Sequence, residues 1–272
     1  MGNKGIQKDI NGFIEIVDME QRSREWQRAR LGKITASEIS CLMKNHKRAM
    51  TDEELAAFKA ANPKSRVTTV EEAFSDATFT YLNRKVMENY LPLNSTSQES
   101  INIVDEYIEE HSVQNAAMRW GTFWEDAARN RYSEVMGYEI IQVGFVTYEK
   151  YPRLMGVSPD GLVREEKGGI EIKSPFTLEK HLQYLMYQTP QDLKENSEEY
   201  YWQCYANMLV TDCDFWDFVS FNPYISLSKQ LKILRIPRDE SEIELLKSRI
   251  DLAVLYMKEK MQQLDNIKTI IK

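Results

Sequence analysis

The hydrophobic pattern of this chain changes period at Gly137, and that change limits the fold more than any other feature. Residues 116–136 read as one long helix with Gly137 as its C-terminal glycine. Residues 138–148 are rich in β-branched and aromatic side chains and read as a strand. Short strands are expected at 155–157, 162–163 and 169–173, separated by Pro159-Asp160-Gly161 and a charged turn. A helix is expected over 177–187 and another over about 197–209, then strands at 215–221 and 231–236. In the last helix, expected over 240–272 and capped by Ser241-x-x-Glu244, Ile243, Leu246, Ile250, Ala253, Met257, Met261 and Leu264 repeat every three or four residues. This order predicts an α/β fold, a mixed β-sheet flanked by helices.

The first part of the chain is more helical. Residues 23–30 read as a helix anchored by Trp26, with Gly32 just beyond its end. Thr35-Ala-Ser-Glu38 fits a capping box that opens a short helix through Met43. Residues 45 to about 114 are polar and poor in strand signal, and are expected to form a helical insertion: Thr51 caps one helix, and 69–91 carries apolar residues at helical spacing. At 272 residues the whole fits a single domain bearing that insertion.

Several classes are excluded. No apolar run approaches the ~20 residues of a membrane helix, and Met1 to Ile10 lack the apolar stretch of a signal peptide, so no membrane association and a cytoplasmic protein are expected. Cys41, Cys204 and Cys213 have no Cys-x-x-Cys spacing and are too few for a four-cysteine iron–sulfur cluster. The net charge of −7 argues against a polyanionic partner, but its distribution is uneven. Between Gln21 and Arg48, eight Lys and Arg face two acidic residues, a run that suits either a local nucleic-acid contact or a solvated face.

The chemistry is concentrated in Ser158-Pro159-Asp160-Gly161, then Glu171-Ile172-Lys173. Side chains two apart on a strand share a face, so Glu171 and Lys173 project together while Ile170 and Ile172 face the core. This predicts a half-exposed strand, with a hairpin folding Asp160 back beside Glu171. Two adjacent carboxylates repel when ionised and favour a hard divalent cation, magnesium or manganese. Lys173 would orient and help deprotonate a water there. The bland alternative is a surface hairpin with an exposed Glu–Lys pair.

Glu125 lies on the 116–136 helix with small neighbours, Gly121 and Ala128, on its face, which leaves room for an ion; a surface Glu125–Arg129 pair is the alternative. Ser37 at a helix start, Arg30 just upstream and Gln203 in an aromatic helix segment suggest a phosphate-binding rim.

With these residues in view, the chain resembles the YqaJ-type viral recombinase nucleases, the phage lambda exonuclease family of the PD-(D/E)XK superfamily. The resemblance rests on five blocks in the family's order: WQRARLGKITASE (26–38), FWEDAAR (123–129), SPDGL (158–162), GIEIKSPF (169–176) and YYWQ (200–203). It implies a PD-(D/E)XK restriction-endonuclease-like core and a Mg2+-dependent 5′-to-3′ exonuclease on duplex DNA ends, with Mn2+ as a substitute. By the same resemblance Asp160, Glu171 and the Ile172 carbonyl hold metal, Glu125 helps hold a second ion, and Lys173 positions the nucleophilic water. Arg30, Ser37, Ser158 and Gln203 match residues that hold the DNA, in particular its 5′-terminal phosphate. The family further implies a ring-shaped homotrimer, a 3′ overhang passed to a single-strand annealing protein, and a phage or prophage origin in a bacterial host. The 45–114 segment is longer than the family pattern requires. An endonuclease or repair nuclease on the same core, and a DNA-binding module without chemistry, are the rival readings.

Overall fold

The computed structural model describes residues 16–17, 19–112 and 115–267. The polar stretch Met1 to Ile10 and the last five residues of the expected 240–272 helix lie outside them. In chain order the elements are β1 (Ile16–Val17), α1 (Arg24–Arg30), β2 (Ile34–Thr35), a 3-10 helix (Ala36–Met43), β3 (His46–Ala49), α2 (Asp52–Ala61), β4 (Thr69–Glu72), α3 (Asp76–Glu88), α4 (Gln98–His111) and α5 (Ala116–Met136). There follow β5 (Ile140–Ile141), β6 (Phe145–Thr147), β7 (Met155–Val157), β8 (Gly161–Val163), β9 (Gly168–Lys173), α6 (Leu178–Met186), α7 (Pro190–Asn196), α8 (Glu198–Thr211), β10 (Phe215–Phe221), β11 (Leu231–Pro237) and α9 (Glu240–Asp265).

The strands form two main sheets where the sequence suggests one. The five-stranded sheet has the order β11-β10-β9-β8-β5, with β9 parallel to β10 and antiparallel to β8. The four-stranded sheet has the order β1-β6-β7-β2. The expected single strand at 138–148 is divided, β5 joining the first sheet and β6 the second. The chain therefore leaves one sheet at β7 and enters the other at β8, and Ser158, Pro159 and Asp160 occupy the crossing.

The central strand carries the largest correction. β9 is not half exposed: it lies between β8 and β10 and is covered on both faces. Ile170 and Ile172 pack with Ala128 and Tyr132 of α5, as the alternation requires. The opposite face lies beneath α8, which is buried along most of its length, and Glu171 is only 1% exposed. Its neighbour β10 is buried at all seven positions, with Asp217 paired to Arg235 and Tyr132. At Gly168 and Gly169 the sheet passes so close to Phe215 and Trp216 that an added Cβ would sit 2.1 Å and 2.3 Å from those rings.

The 45–114 segment is not purely helical. β3 and β4 pair as an antiparallel hairpin, and the helix expected over 69–91 starts only at Asp76. Ala49 and Thr69 pair at the closed end, so β4 takes its hydrogen bonds from β3 instead of continuing the helix. Leu82 and Val86 of α3 belong to the main core, so this part of the segment is built into the body. Thr51 caps α2 with a complete capping box, as read from the sequence.

Two other caps differ from expectation. Thr35 makes no side-chain cap at the 3-10 helix, because its hydroxyl turns to the Ser37 and Glu38 side chains. α9 is capped by Asp239, whose carboxylate accepts from the Ser241 N–H, so the helix starts before Ser241. The α9 stripe from Ile243 to Met257 is buried in the main core, with Met261 and Leu264 partly buried against it. Arg249 of that helix donates to the Leu42, Lys44 and Ala73 carbonyls, fixing the far end of the 3-10 segment that carries Ser37. Gly137 ends α5 at φ 73°, and its N–H donates to the Ser133 carbonyl. α7 had no counterpart in the sequence reading. Among the described residues no helix is long and apolar enough to cross a membrane.

The two special glycines are expected to differ in cost. Gly169→Ala must displace a buried indole and should destabilise by about 1–3 kcal/mol. Gly137→Ala meets open space and should lose only the left-handed preference, about 1–2 kcal/mol. Urea unfolding of both variants checks the ranking, and a Gly169→Ala protein as stable as the parent contradicts the packing.

Candidate active site

The crossing between the sheets brings the sequence-identified residues together. A cleft of about 670 Å³ is lined by all nine: Arg30, Ser37, Glu125, Ser158, Asp160, Glu171, Ile172, Lys173 and Gln203. They come from α1, the 3-10 helix, α5, the β7–β8 crossing, β9 and α8.

At its floor, an Asp160 carboxylate oxygen accepts from the Ile172 N–H at 2.7 Å, the closure expected of the β8–β9 hairpin. Lys173 Nζ lies 2.6 Å from Glu171, 3.4 Å from Gln203 Oε1 and 4.6 Å from the Tyr200 ring centre. Asn207, one turn beyond Gln203 on α8, donates to the other Glu171 oxygen at 3.2 Å, and its side-chain amide oxygen is buried without a partner among the described residues. Burial raises the Asp160 pKa well above its ordinary value, with further help from Glu171 and Glu125. Burial also raises Glu171, against the opposing charge and hydrogen bond of Lys173. For Lys173 burial pulls downward, but Glu171 and Asp160 outweigh it, and the ammonium is held above its ordinary value. The Lys173 ammonium is therefore held protonated by its acidic neighbours. Neutralising those carboxylates would leave burial to ease the proton off.

Glu125 faces the same cleft but is engaged elsewhere. Arg129, one turn along α5, holds it at 2.7 Å, and Arg22, ahead of α1, pairs with its other oxygen. The helical Glu125–Arg129 pair foreseen as a surface alternative does exist, but it is buried, and Arg129 also donates to the Asp160 carbonyl at 3.1 Å. Arg129, Arg22 and Asn207 were missed as site residues. Asn207 is signalled by its i+4 spacing from Gln203, whereas nothing local links Arg22 to Glu125 across 103 positions.

The rim is a second hydrogen-bonded set. Arg30 donates to Ser158 Oγ at 3.2 Å and to Ser37 Oγ at 3.3 Å, and its guanidinium lies 4.3 Å from the centre of the Trp26 ring. The Trp26 indole N–H donates to Ser158 Oγ at 2.9 Å and lies 3.1 Å from the Gly144 carbonyl. Burial lowers the Arg30 pKa, opposed by Glu38 and Tyr81, yet a guanidinium stays charged, so a cation faces two hydroxyls here. Most of the basic run is not a free patch: Arg22, Arg24, Arg28, Lys44, Lys47 and Arg48 all pair with acidic residues. Of the eight, Arg30 and Lys33 alone have no acidic ion-pair partner among the described residues.

Asp160 and Glu171 fit a hard divalent cation: both donate oxygen, both are driven up in pKa by burial, and no thiol or imidazole lines the cleft. Among the described residues, however, no three acidic, His or Cys side chains form a ready-made cage. Glu125 faces two arginines, so its participation requires it to turn from Arg22.

A mixed sheet carrying Glu171-x-Lys173 on β9, with Asp160 at the turn that enters the neighbouring β8 and a carboxylate helix packed against it, is the PD-(D/E)XK fold. The chain belongs to the YqaJ-like viral recombinase family, whose domain model matches residues 25–214. Among solved structures it is similar to an alkaline exonuclease, LHK-Exo, from Laribacter hongkongensis. Identity is 24% and the TM-score 0.61, over 89% of this chain and 96% of that one; the same protein in complex with dAMP matches equally well. A phage related exonuclease from Haemophilus somnus 129PT is 15% identical with a TM-score of 0.53, covering 85% of this chain and 96% of that one. No curated protein matches the chain in sequence.

The raised Asp160 pKa sets the sign of a stability test. A carboxylate that ionises less readily in the folded state stabilises the fold fully in acid, below its ordinary pKa, and loses that contribution as pH rises through its folded value. At neutral pH with chelator, Asp160→Asn should therefore melt higher than the parent, and the gap should close in acid. Magnesium should raise the melting temperature of the parent only; an equal rise in both would remove Asp160 from the cation site.

Proposed function

We propose that this protein is a Mg2+-dependent 5′-to-3′ exonuclease that digests one strand of linear duplex DNA and leaves a 3′ single-stranded overhang. The observation that carries the reading is the meeting, in one cleft, of the Asp160–Glu171–Lys173 floor with the Arg30–Ser37–Ser158 rim. Membership of a viral recombinase family supports it, as does a fold shared with an alkaline exonuclease described in complex with dAMP.

Each residue has a part that follows from its chemistry. Arg30, flanked by two hydroxyls and stacked on Trp26, is built to hold a terminal phosphate: a fixed fork of donors beside two further donors. Gln203 holds Lys173 towards the cleft and can turn its amide to DNA. Asp160, Glu171 and the Ile172 carbonyl would hold a magnesium ion, with manganese an acceptable substitute, and Glu125 would share a second ion once released from Arg22. A bound divalent ion supplies charge to the phosphate and lowers the pKa of its water. With Glu171 and Asp160 neutralised, Lys173 would release its own proton to solvent and, as the free amine, orient the attacking water and take up its proton.

The protein acts in this proposal as a homotrimeric ring in a bacterial host and passes its overhang to a phage-type annealing protein. Lys173→Ala should slow cleavage at least roughly a hundredfold while DNA binding persists, as for loss of a general base. Near-normal turnover in that variant would falsify the role. Arg30→Ala should erase roughly ten- to a hundredfold of the preference for 5′-phosphorylated over 5′-hydroxyl ends, the worth of a charged hydrogen bond. Comparing single-turnover rates on the two ends measures it, and equal loss on both would assign Arg30 to structure alone.

A further inference from the structure

The cleft continues past Lys173. β9 leaves the sheet through Ser174 and Pro175 to Phe176 and meets the first turns of α5. There Trp120 centres a cluster of rings: Phe176 lies 5.8 Å away, Trp124 5.7 Å and Tyr224 5.4 Å between centroids, and Phe123 packs 5.0 Å from Trp124. The Trp120 indole N–H donates to the Pro175 carbonyl at 3.1 Å, and the Asn222 amide reaches the same oxygen at 3.4 Å. The strand exit, α5 and the β10–β11 connection are thus tied into one shelf.

Packing accounts for the centre of this shelf and not for its rim. Phe123 is 74% exposed, Tyr224 73% and Phe176 55%. Single exposed apolar residues are ordinary, whereas a contiguous set of rings marks a binding surface. Phe176 also lines the cleft that holds Asp160, Glu171 and Lys173, so the surface is continuous with the reacting position. Lys180 lines the same cleft, its ammonium bonded to Gln183 and 5.0 Å from the Tyr184 ring centre, so the cleft that Phe176 lines also holds a cation. Rings beside a cation are what unpaired bases on a phosphate backbone require.

We propose that the shelf stacks unpaired bases of the strand being digested, at the nucleotides next to the scissile phosphate. This rests on the nuclease reading above. From Lys173 to Phe176 is three residues, at most roughly 10 Å of chain, about three base steps at the ~3.4 Å spacing of a stacked strand. The strand whose phosphate lies at Lys173 is therefore the one within reach. Where the duplex end opens, the bases of that strand lose their stacking partners, and the rings would replace them. Stacking on a ring face tolerates any base, as digestion of arbitrary sequence demands.

The test is a coupling measurement in a Lys173→Ala background, where turnover is suppressed. Binding of a 5′-phosphorylated duplex is compared with that of duplexes abasic at the second or third nucleotide of the 5′ strand. Phe176→Leu keeps an apolar side chain but removes the ring face. The abasic lesion should weaken binding by roughly fivefold to a hundredfold with Phe176 and by much less with Phe176→Leu. The same lesion in the complementary strand should show no dependence on Phe176. Equal abasic penalties in the two proteins overturn the proposal, as does coupling to the complementary strand. Loss of assembly in Phe176→Ala but not in Phe176→Leu, by sedimentation and without base coupling, makes the shelf a subunit face instead. Absence of DNA binding by any form overturns the nuclease reading itself.

Discussion

Glu171 is a carboxylate in the middle of a buried strand, and the architecture around it can be read as the set of contacts that make its burial tolerable. An isolated charge there would be expelled or neutralised. Lys173 two residues along, the Asn207 amide from above and the Ile172 N–H that occupies Asp160 together offset the cost. Each comes from a different source: strand alternation, the register of α8, and the hairpin returning from the second sheet. The floor is thus held in a high-energy electrostatic state by a rigid fold, which is the condition under which a divalent ion gains most from binding.

Arginine does the complementary work around the floor. Arg129 spans Glu125 and the Asp160 backbone, tying α5 to the sheet crossing, and Arg22 brings the approach to α1 onto the same carboxylate. Arg249 anchors the 3-10 segment from α9. Arg22, Arg129 and Arg249 are taken up in bracing the cleft and most of the basic run in other ion pairs, leaving Arg30, over Trp26 and between two serines, as the cation of that run presented at the rim. A net charge of −7 is compatible with an anionic substrate under this arrangement, since a local cationic cleft can act against an acidic body.

The core of this arrangement was legible from residues alone where a local rule governs it. α5 begins and ends where periodicity and Gly137 place it, and the alternation in 170–173 correctly puts Ile170 and Ile172 against one layer. Alternation cannot tell whether the opposite face meets water or another helix, so Glu171 was expected to be half exposed. The division of 138–148 between two sheets and the β3–β4 hairpin depend on pairing partners distant in sequence or weak in β-propensity. Thr35 failed as a cap because tertiary partners claimed its hydroxyl. The nine site residues were gathered by five conserved-order blocks of resemblance and by strand and helix spacing together; Arg22 and Arg129 escaped because ion pairs to a site carboxylate look, in sequence, like any surface pair.

End-dependent hydrolysis is the property on which the roles of the floor and the rim turn. Linear duplex DNA labelled at either the 5′ or the 3′ end, with a closed circle as control, should lose the 5′ label first in magnesium while the circle stays intact. Cutting of the circle would contradict an end-directed enzyme, and release of the 3′ label first would contradict the polarity on which the roles of Arg30 and the ring shelf depend.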